Sequence, residues 1–339
     1  MDSMDKQKKS FKELKNILTQ TKLPSYQEIF DIADEVTDCL MFEKTDYRPL
    51  ASDGEVGGLL DFKDDKLPLV VVPDLHARPY FLLNILKFKL ESGKTIFESL
   101  EAEEIRLLFV GDILHTERNT RERWTAAALE FEEDIYTGPA ISAEMQEGLS
   151  LLCGLMKLKS MFPQHCHILK GNHENIYNYT GDGDYGFRKF ADEGNMCRLF
   201  VQDYYGDDIL YMIHCFEKHL PLMFLGNKCI VSHAEPKVAY NRQEIIDARM
   251  LGRVVEGLTW TENDAAREGS VAETIKNLTG LEDCGDYLYL GGHRPVNGNY
   301  KLRQNGLYIQ IHNPGLQNVA IVKSNKKFNP DIDIVEVAK

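Results

Sequence analysis

The chain has 339 residues, of which 43% are hydrophobic, so it can bury a substantial core in one large or two smaller α/β domains. The formal net charge of −14 argues against nucleic acid and anionic membranes as partners of the surface as a whole. Seven scattered cysteines without a Cys-x-x-Cys pair predict reduced thiols in a cytoplasmic protein. Residues 1–10 are charged and precede no apolar segment, so we expect neither a signal peptide nor a membrane span.

Residues 1–60 are predicted to form an N-terminal helical extension that packs on the core. Leu14 and Leu18 recur at helical spacing, and Ser25 precedes Glu28 in the pattern of a capping box. Three further parts are expected after the extension: a main domain over residues 61–328, a helical insertion within it at about 118–162, and a C-terminal tail over residues 329–339.

Short apolar segments of the main domain are predicted to form buried strands. Five of them lie at residues 69–72, 105–110, 165–170, 228–232 and 287–291. A helix predicted over residues 79–92 separates the first two strands, and this β–α–β order indicates parallel strands with a right-handed crossover. Two later segments, 307–311 and 319–322, are predicted to form a terminal antiparallel piece.

Side chains that bind metals follow each of the five strands. They are Asp74 and His76, then Asp112, then Asn172 and His173, then His233, and finally His293. Because ligands gather outside the carboxyl ends of strands in α/β proteins, we expect these residues to lie together. Asp74 and His76 share one face of an extended segment and can chelate one metal, and the two oxygens of Asp112 can bridge two metals.

The other donors complete a second metal position in this interpretation. Asn172, His233 and His293 would bind the second ion. Mixed oxygen and nitrogen ligation without thiolate suits Mn, Fe or Zn, with Mn expected in vitro. Two such ions about 3.5–4 Å apart can clamp a phosphoryl group and supply a bridging hydroxide as nucleophile. His173 would then protonate the leaving oxygen as general acid, and no covalent intermediate is required.

Five blocks of the chain resemble the signature of the calcineurin-like metallophosphoesterases. They are Asp74-Leu75-His76, Gly111-Asp112, Gly171-Asn172-His173-Glu174, Val231-Ser232-His233 and Gly292-His293. The resemblance covers roughly residues 67–325 and implies an α+β fold of four layers, in which two mixed sheets pack as a sandwich between helices. It also implies a binuclear metal-dependent hydrolase that acts on phosphoric esters.

Two features resemble the phosphoprotein phosphatase branch and its bacterial relatives. The stretch Leu258-Thr259-Trp260-Thr261 is similar to the Leu-x-Trp-Ser stretch of these phosphatases. Phosphodiesterase-type members usually end in His-x-His, whereas Pro295 stands at the second position here. The resemblance therefore favours a phosphomonoesterase, with a dinucleoside polyphosphate hydrolase or phosphodiesterase as the alternative.

The second block departs from the family pattern. His115 stands where the family has the Asp that orients the acid histidine, so either Glu117 supplies this carboxylate or the pair differs. The family's phosphate-binding Arg is shifted by two residues, and Arg118 is the nearest candidate because its planar guanidinium can bind phosphate at two points. The change at His115 keeps open a second interpretation, a scaffold that retains the fold without catalysis. The expected partner is a phosphorylated protein or small phosphoester, with no nucleic acid and no membrane.

Overall fold

The computed structural model describes residues 3–118 and 120–338; residues 1, 2, 119 and 339 of the predicted segments lie outside the described residues. The helices of the described residues are α1 (Ser3–Thr19), α2 (Tyr26–Met41), α3 (Pro79–Lys87), α4 (Ile96–Glu101), α5 (Arg121–Glu132), α6 (Pro139–Met161), α7 (Glu193–Tyr205), α8 (Asp207–Lys218), α9 (Arg242–Ile246), α10 (Gly252–Thr259), α11 (Ser270–Thr279) and α12 (Pro330–Asp333). The strands are β1 (Leu59–Phe62), β2 (Leu69–Val72), β3 (Arg106–Phe109), β4 (Cys166–Ile168), β5 (Met223–Gly226), β6 (Cys229–Ser232), β7 (Leu288–Gly291), β8 (Lys301–Arg303), β9 (Tyr308–Gln310), β10 (Asn318–Val322) and β11 (Ile334–Glu336). None of the described helices is long and apolar enough to cross a bilayer.

The strands form two mixed sheets. One sheet has the order β11-β10-β2-β3-β4, with β2, β3 and β4 parallel and β10 antiparallel to β2. The other has the order β1-β5-β6-β7-β9-β8, with β6, β7 and β9 parallel to one another. In the five-stranded sheet the three parallel strands lie on one side and β4 forms the edge. In the six-stranded sheet the parallel strands β6, β7 and β9 lie between the antiparallel neighbours β5 and β8.

The alternation of side chains along the strands builds four layers. Val71 and Leu108 on one sheet belong to the same apolar cluster as Val231 and Leu290 on the other, so this cluster lies between the sheets. Neighbouring residues point outwards: Val70 packs in a cluster with the helices α1 to α8, while Tyr289 and Ile230 pack in a cluster with α9, α10 and α11. The predicted sandwich of two mixed sheets between helices is confirmed.

The N-terminal helices contact the main body through an apolar face and a buried charge cluster. Helices α1 and α2 pack on α6, and α2 also packs on α8. The capping box of Ser25 and Glu28 starts α2, as its sequence predicts. Beyond α2, Glu43 accepts from Arg48 at 2.5 Å and from Lys159 of α6 at 2.6 Å, and all three side chains are buried. The boundaries of the predicted segments stay a prediction.

Two expectations about secondary structure are wrong. The helix predicted over residues 79–92 ends at Lys87, because Phe88 adopts an extended backbone and begins a turn towards α4. The strands predicted as a terminal antiparallel piece do not pair with each other. Strand β9 lies parallel to β7 in one sheet, whereas β10 lies antiparallel to β2 in the other, so the short segment between them crosses the sandwich.

Candidate metal centre

The polar residues predicted to bind metals converge at the ends of the parallel strands. Each follows its strand within a few residues, and three of them have left-handed backbone angles: φ is 44° at His76, 54° at Asp112 and 64° at His293. Such angles are rare for residues with a side chain and persist where the surrounding structure fixes them. The sharp turns direct the side chains of both sheets towards one buried point between the strand ends.

A first group of donors consists of Asp74, His76 and His312, whose ligand atoms all lie within 4.8 Å of one another. The carbonyl of His115 can only accept, so His76 Nδ1 donates to it at 3.0 Å. His76 Nε2 then carries its lone pair and lies 3.7 Å from Asp112 Oδ2. Among the described residues, His76 Nε2, Asp74 Oδ2 and His312 Nδ1 have no hydrogen-bond partner, although all three are buried.

A second group consists of Asp112, His233 and His293, with Asn172 beside them. His233 Nδ1 donates to the carbonyl of Val110 at 3.0 Å, so its Nε2 carries a lone pair. This Nε2 lies 3.0 Å from Asn172 Oδ1, 3.2 Å from His293 Nδ1 and 3.5 Å from Asp112 Oδ2. Several acceptor atoms therefore face one another at short range, and a cation among them would pair with all of their lone pairs.

The electrostatics of the two groups favour a cation. Burial raises the pKa of Asp112 well above its usual range, and the carboxylates of Asp74 and Glu174 raise it further. Burial also lowers the pKa of His233 well below its usual range and lowers that of His293 to about 4. The imidazoles are therefore neutral donors at pH 7, and the buried carboxylates lack compensating positive charge. Neutral imidazole, carboxylate and amide oxygen form a donor set that fits divalent metal ions.

Two glycines allow the donors to approach one another. A Cβ at Gly171 would overlap Asp112 Oδ1, and a Cβ at Gly292 would overlap Asp74 Oδ2. The glycines of the Gly-Asn-His and Gly-His blocks are therefore required by the packing of the carboxylates against the next loop. Besides the side chains, the backbone N–H of His293 donates to Asp74 Oδ1 at 2.9 Å, which ties the two sheets together at this point.

The predicted acid His173 lies at the same buried point. Its Nε2 is 3.7 Å from Asp112 Oδ2, and its ring stacks on Phe187 at 4.4 Å between centroids. Its Nδ1 has no hydrogen-bond partner among the described residues. Glu117, the predicted source of an orienting carboxylate, instead contacts His312 at 3.0 Å and His76 at 3.5 Å. The arrangement around the acid histidine therefore differs from the family pattern.

His115, which stands in place of the expected Asp, has its own buried carboxylate. Its Nε2 lies 3.4 Å from Glu193 Oε1, and its ring stacks on Trp124 of α5 at 5.0 Å. The rings of His115 and His173 are 5.0 Å apart, and both belong with His76 to a third group of possible ligands. Glu193 lies far along the chain at the start of α7, and no local sequence pattern indicates that it contacts the site.

The predicted phosphate-binding Arg118 lies on the surface beside the centre. Its Nη1 donates to the carbonyl of Gly315 at 3.0 Å, in the loop that carries His312. Its role in binding phosphate stays a prediction. A second cation at this rim is Lys189, whose Nζ is 2.5 Å from Glu117 Oε1 and whose side chain is 37% exposed. Lys189 lies in an irregular segment without a recognisable motif, so no sequence pattern predicts that it contacts the site.

A large cavity lies beside the two groups of metal donors and is distinct from them. It has a volume of about 1190 Å³ and lies behind the Gly171 to Glu174 loop, where Lys170, Asp184 and Glu217 line it. Lys170 Nζ donates to the backbone carbonyl of Glu174, so the cavity and the metal-donor loop share a wall.

The sandwich of two mixed sheets between helices is a fold that solved phosphatase structures share. A solved structure described as a protein serine/threonine phosphatase from Saccharomyces cerevisiae with similarity to human phosphatase PP5 matches with a TM-score of 0.56 and 15% identity, over 92% of this chain and 89% of that chain. A cold-active protein-tyrosine phosphatase of a psychrophilic Shewanella species matches with a TM-score of 0.47 and 13% identity, over 83% and 82%. No family model and no curated protein matches the chain. The predicted resemblance is thus confirmed at the level of the fold.

Proposed function

We propose that the protein is a metal-dependent phosphoesterase that acts on phosphomonoesters. The observation that carries the proposal is the position of Asp112 Oδ2, which lies 3.7 Å from His76 Nε2 of the first donor group and 3.5 Å from His233 Nε2 of the second. A carboxylate between two sets of neutral imidazoles is placed to bridge two divalent ions. The shared fold of a phosphatase supports the same reaction class.

The residues divide between the two ions by their contacts. Asp74 and His76 would hold the first ion; Asn172, His233 and His293 would hold the second, and Asp112 would contact both. When bound, two divalent ions activate water and neutralise the charge of the phosphoryl group. The metal identity follows from the donor set only as Mn, Fe or Zn.

His173 is the proton donor in this proposal. The flat contact with Phe187 holds its ring in place, and its Nε2 points to the same carboxylate oxygen as the metal donors. A substrate bound at the two ions would therefore present its leaving oxygen near this imidazole. The imidazolium form of His173 would transfer its proton to that oxygen, so that the leaving group departs as a neutral alcohol and the ring is left as neutral imidazole. Arg118 is assigned to the binding of the phosphate from the rim.

The burial of the centre supports a monoester as substrate. The side chain of His173 is 11% exposed, and the packed rings of Phe187, His115 and Trp124 close one side of the site. A terminal phosphate with a single substituent enters such a site more readily than a phosphodiester with two. His312 favours the alternative, since it adds a further histidine to the first donor group in a chain that has Pro295 at the second position of the His-x-His pattern.

The test is hydrolysis of p-nitrophenyl phosphate beside bis-p-nitrophenyl phosphate with Mn²⁺ added. Turnover of the monoester that Asp112→Asn abolishes and Asp203→Asn leaves unchanged is the expected result, because Asp203 is an exposed residue of α7. Preference for the diester would replace the monoester proposal with the alternative. If the protein binds two ions but hydrolyses neither compound, the result would contradict the proposed phosphoesterase activity and favour a scaffold.

A further inference from the structure

His312 lies two residues beyond the end of strand β9 and is fully buried. Its two ring nitrogens have different surroundings. The Nε2 atom lies 3.0 Å from Glu117 Oε2, whereas the Nδ1 atom lies 3.5 Å from Asp74 Oδ2 and has no hydrogen-bond partner among the described residues. A buried ring nitrogen without a partner is costly unless another group binds it.

Glu117 determines which nitrogen carries the proton. Lys189 Nζ donates to Glu117 Oε1 at 2.5 Å, and the other carboxylate oxygen, Oε2, faces His312 Nε2. An anionic carboxylate can only accept, so His312 donates its Nε2 proton to Glu117. The Nδ1 lone pair is therefore directed at Asp74 Oδ2, which is itself an acceptor without a partner. A metal ion between these two acceptors would pair with both of their lone pairs, which the protein's own hydrogen bonds leave unused.

We propose that His312 Nδ1 is a fourth protein ligand of the first metal ion, beside Asp74, His76 and Asp112. The inference rests on the proposed metal dependence of the protein. Glu117 is then a positioning residue, because a carboxylate that accepts the second ring proton fixes the orientation of a metal-binding histidine and increases its basicity.

The assignment changes the balance between the two metal positions. Without His312, the first ion would have three protein ligands and the second would have four, namely Asp112, Asn172, His233 and His293. With His312, each ion has four, and β9 joins β7 and β6 in carrying ligands from the six-stranded sheet. The Gly-His block has Pro295 instead of a second histidine, and His312, beyond the end of the neighbouring parallel strand β9, supplies a histidine in this assignment.

Metal binding tests the assignment without reference to turnover. The full-length protein, His312→Ala, Glu117→Gln and the control His165→Ala are equilibrated with Mn²⁺ or Zn²⁺, and bound metal is measured by mass spectrometry and calorimetry. His165 binds a backbone carbonyl away from the centre. We expect two ions in the wild type and the control. His312→Ala should bind one of the two at least tenfold more weakly, and Glu117→Gln should weaken the same ion about tenfold, in the range typical of such supporting residues.

Wild-type protein provides a second measurement should His312→Ala fail to fold. Long-range proton–nitrogen spectra of the zinc-loaded protein, labelled with ¹⁵N histidine, should show His312 with a protonated Nε2 and a metal-bound Nδ1. Unchanged affinity for both ions in folded His312→Ala, or a free Nδ1 in the zinc-loaded wild type, would overturn the assignment while leaving the proposed phosphoesterase intact. Failure of the wild type to bind metal would overturn both, whereas two bound ions without hydrolysis would contradict only the proposed function.

Discussion

Glu174 accepts the backbone N–H of Asp112 at 2.8 Å, although the two residues lie in different loops. The same carboxylate accepts the N–H groups of Ile113 at 2.8 Å and of Gly171 at 2.7 Å. Its position explains how Asp112 keeps a left-handed backbone angle of 54°. The last residue of the Gly-Asn-His-Glu block therefore fixes the loop that carries the Asp112 carboxylate.

Replacement of Glu174 should weaken both folding and metal binding. Glu174→Ala leaves three buried N–H groups without an acceptor, and each costs about 1–3 kcal/mol. Allowing for partial relaxation, we expect the free energy of unfolding to fall by about 3 kcal/mol in urea denaturation. Bound metal should also fall, since Asp112 loses its fixed backbone. Equal metal content in folded Glu174→Ala and wild type would show that the loop keeps its shape without this carboxylate.

A general-acid role for His173 predicts a dependence on the leaving group. p-Nitrophenolate leaves without protonation, whereas an alkoxide requires a proton. His173→Asn should therefore reduce kcat for an alkyl phosphate by about 10²–10⁴-fold and reduce kcat for p-nitrophenyl phosphate far less. Steady-state kinetics on the two substrates give the ratio, with metal content measured in parallel. An equal loss on both substrates would assign His173 to metal or substrate binding instead.

Glu217 predicts a stability that decreases with rising pH. Burial raises its pKa to about 8, although Lys170 and the N–H of Ile176 oppose the shift. The folded pKa lies above the unfolded value of about 4.3, so the contribution is fully present below that value and is lost as the pH rises towards 8.

Between these values the free energy of unfolding should fall by up to about 1.4 kcal/mol per pH unit from this group. Glu217→Gln can still accept from Ile176, which donates to Glu217 Oε2 at 2.8 Å, and should flatten the dependence. Urea denaturation at pH 5 to 8 measures this pH dependence of the free energy of unfolding. Glu132→Gln, at an exposed position of α5, is the control. Parallel curves for Glu217→Gln and wild type would contradict the prediction.

The buried charge cluster of Glu43, Arg48 and Lys159 predicts that two similar Glu→Gln substitutions change the free energy of unfolding by very different amounts. Glu43→Gln leaves the fully buried cations of Arg48 and Lys159 without their anion, which costs about 3–5 kcal/mol. Glu35→Gln removes an exposed pair with Lys157, which contributes about 0–1 kcal/mol. Thermal and urea unfolding of the two variants should therefore differ clearly. Similar unfolding curves would show that the buried cations find other partners.

The same cluster sets the response to acid. Burial raises the pKa of Glu43, but Lys159 and Arg48 outweigh this effect and hold the pKa well below its usual range. Its contribution to stability is present above the unfolded value and is lost as the pH falls below about 4.3. Wild type should therefore lose stability in acid more steeply than Glu43→Gln.

The sequence predicts the parallel strands of both sheets and most of the candidate metal donors. Each parallel strand is a run of apolar residues that ends in a polar one, and both signals are local to a few neighbouring residues. His312 shows where motif reasoning stops: it follows the predicted strand at 307–311, but it lies outside the signature blocks. The rule that donors follow strands would have found it.

Contacts over long distances along the chain explain the remaining differences. The pairing of β10 with β2 rather than β9 depends on where the chain crosses the sandwich, which no local pattern records. The contact between His115 and Glu193 arises because α7 packs beside α5 and α6, and both side chains are fully buried. Sequence periodicity determines which face of an element is buried, but it does not determine which distant element covers that face.

The pairing of Asp74 with His312 also has a consequence for the way the protein is made. Asp74 lies near the beginning of the main domain and His312 near its end, and the two side chains meet only after both sheets have formed. On the ribosome, Asp74 and His76 emerge long before the histidine that faces them has been translated. In the proposed site, a growing chain therefore cannot yet present all the ligands of the first ion, so binding of that ion would be completed only after His312 has been synthesised.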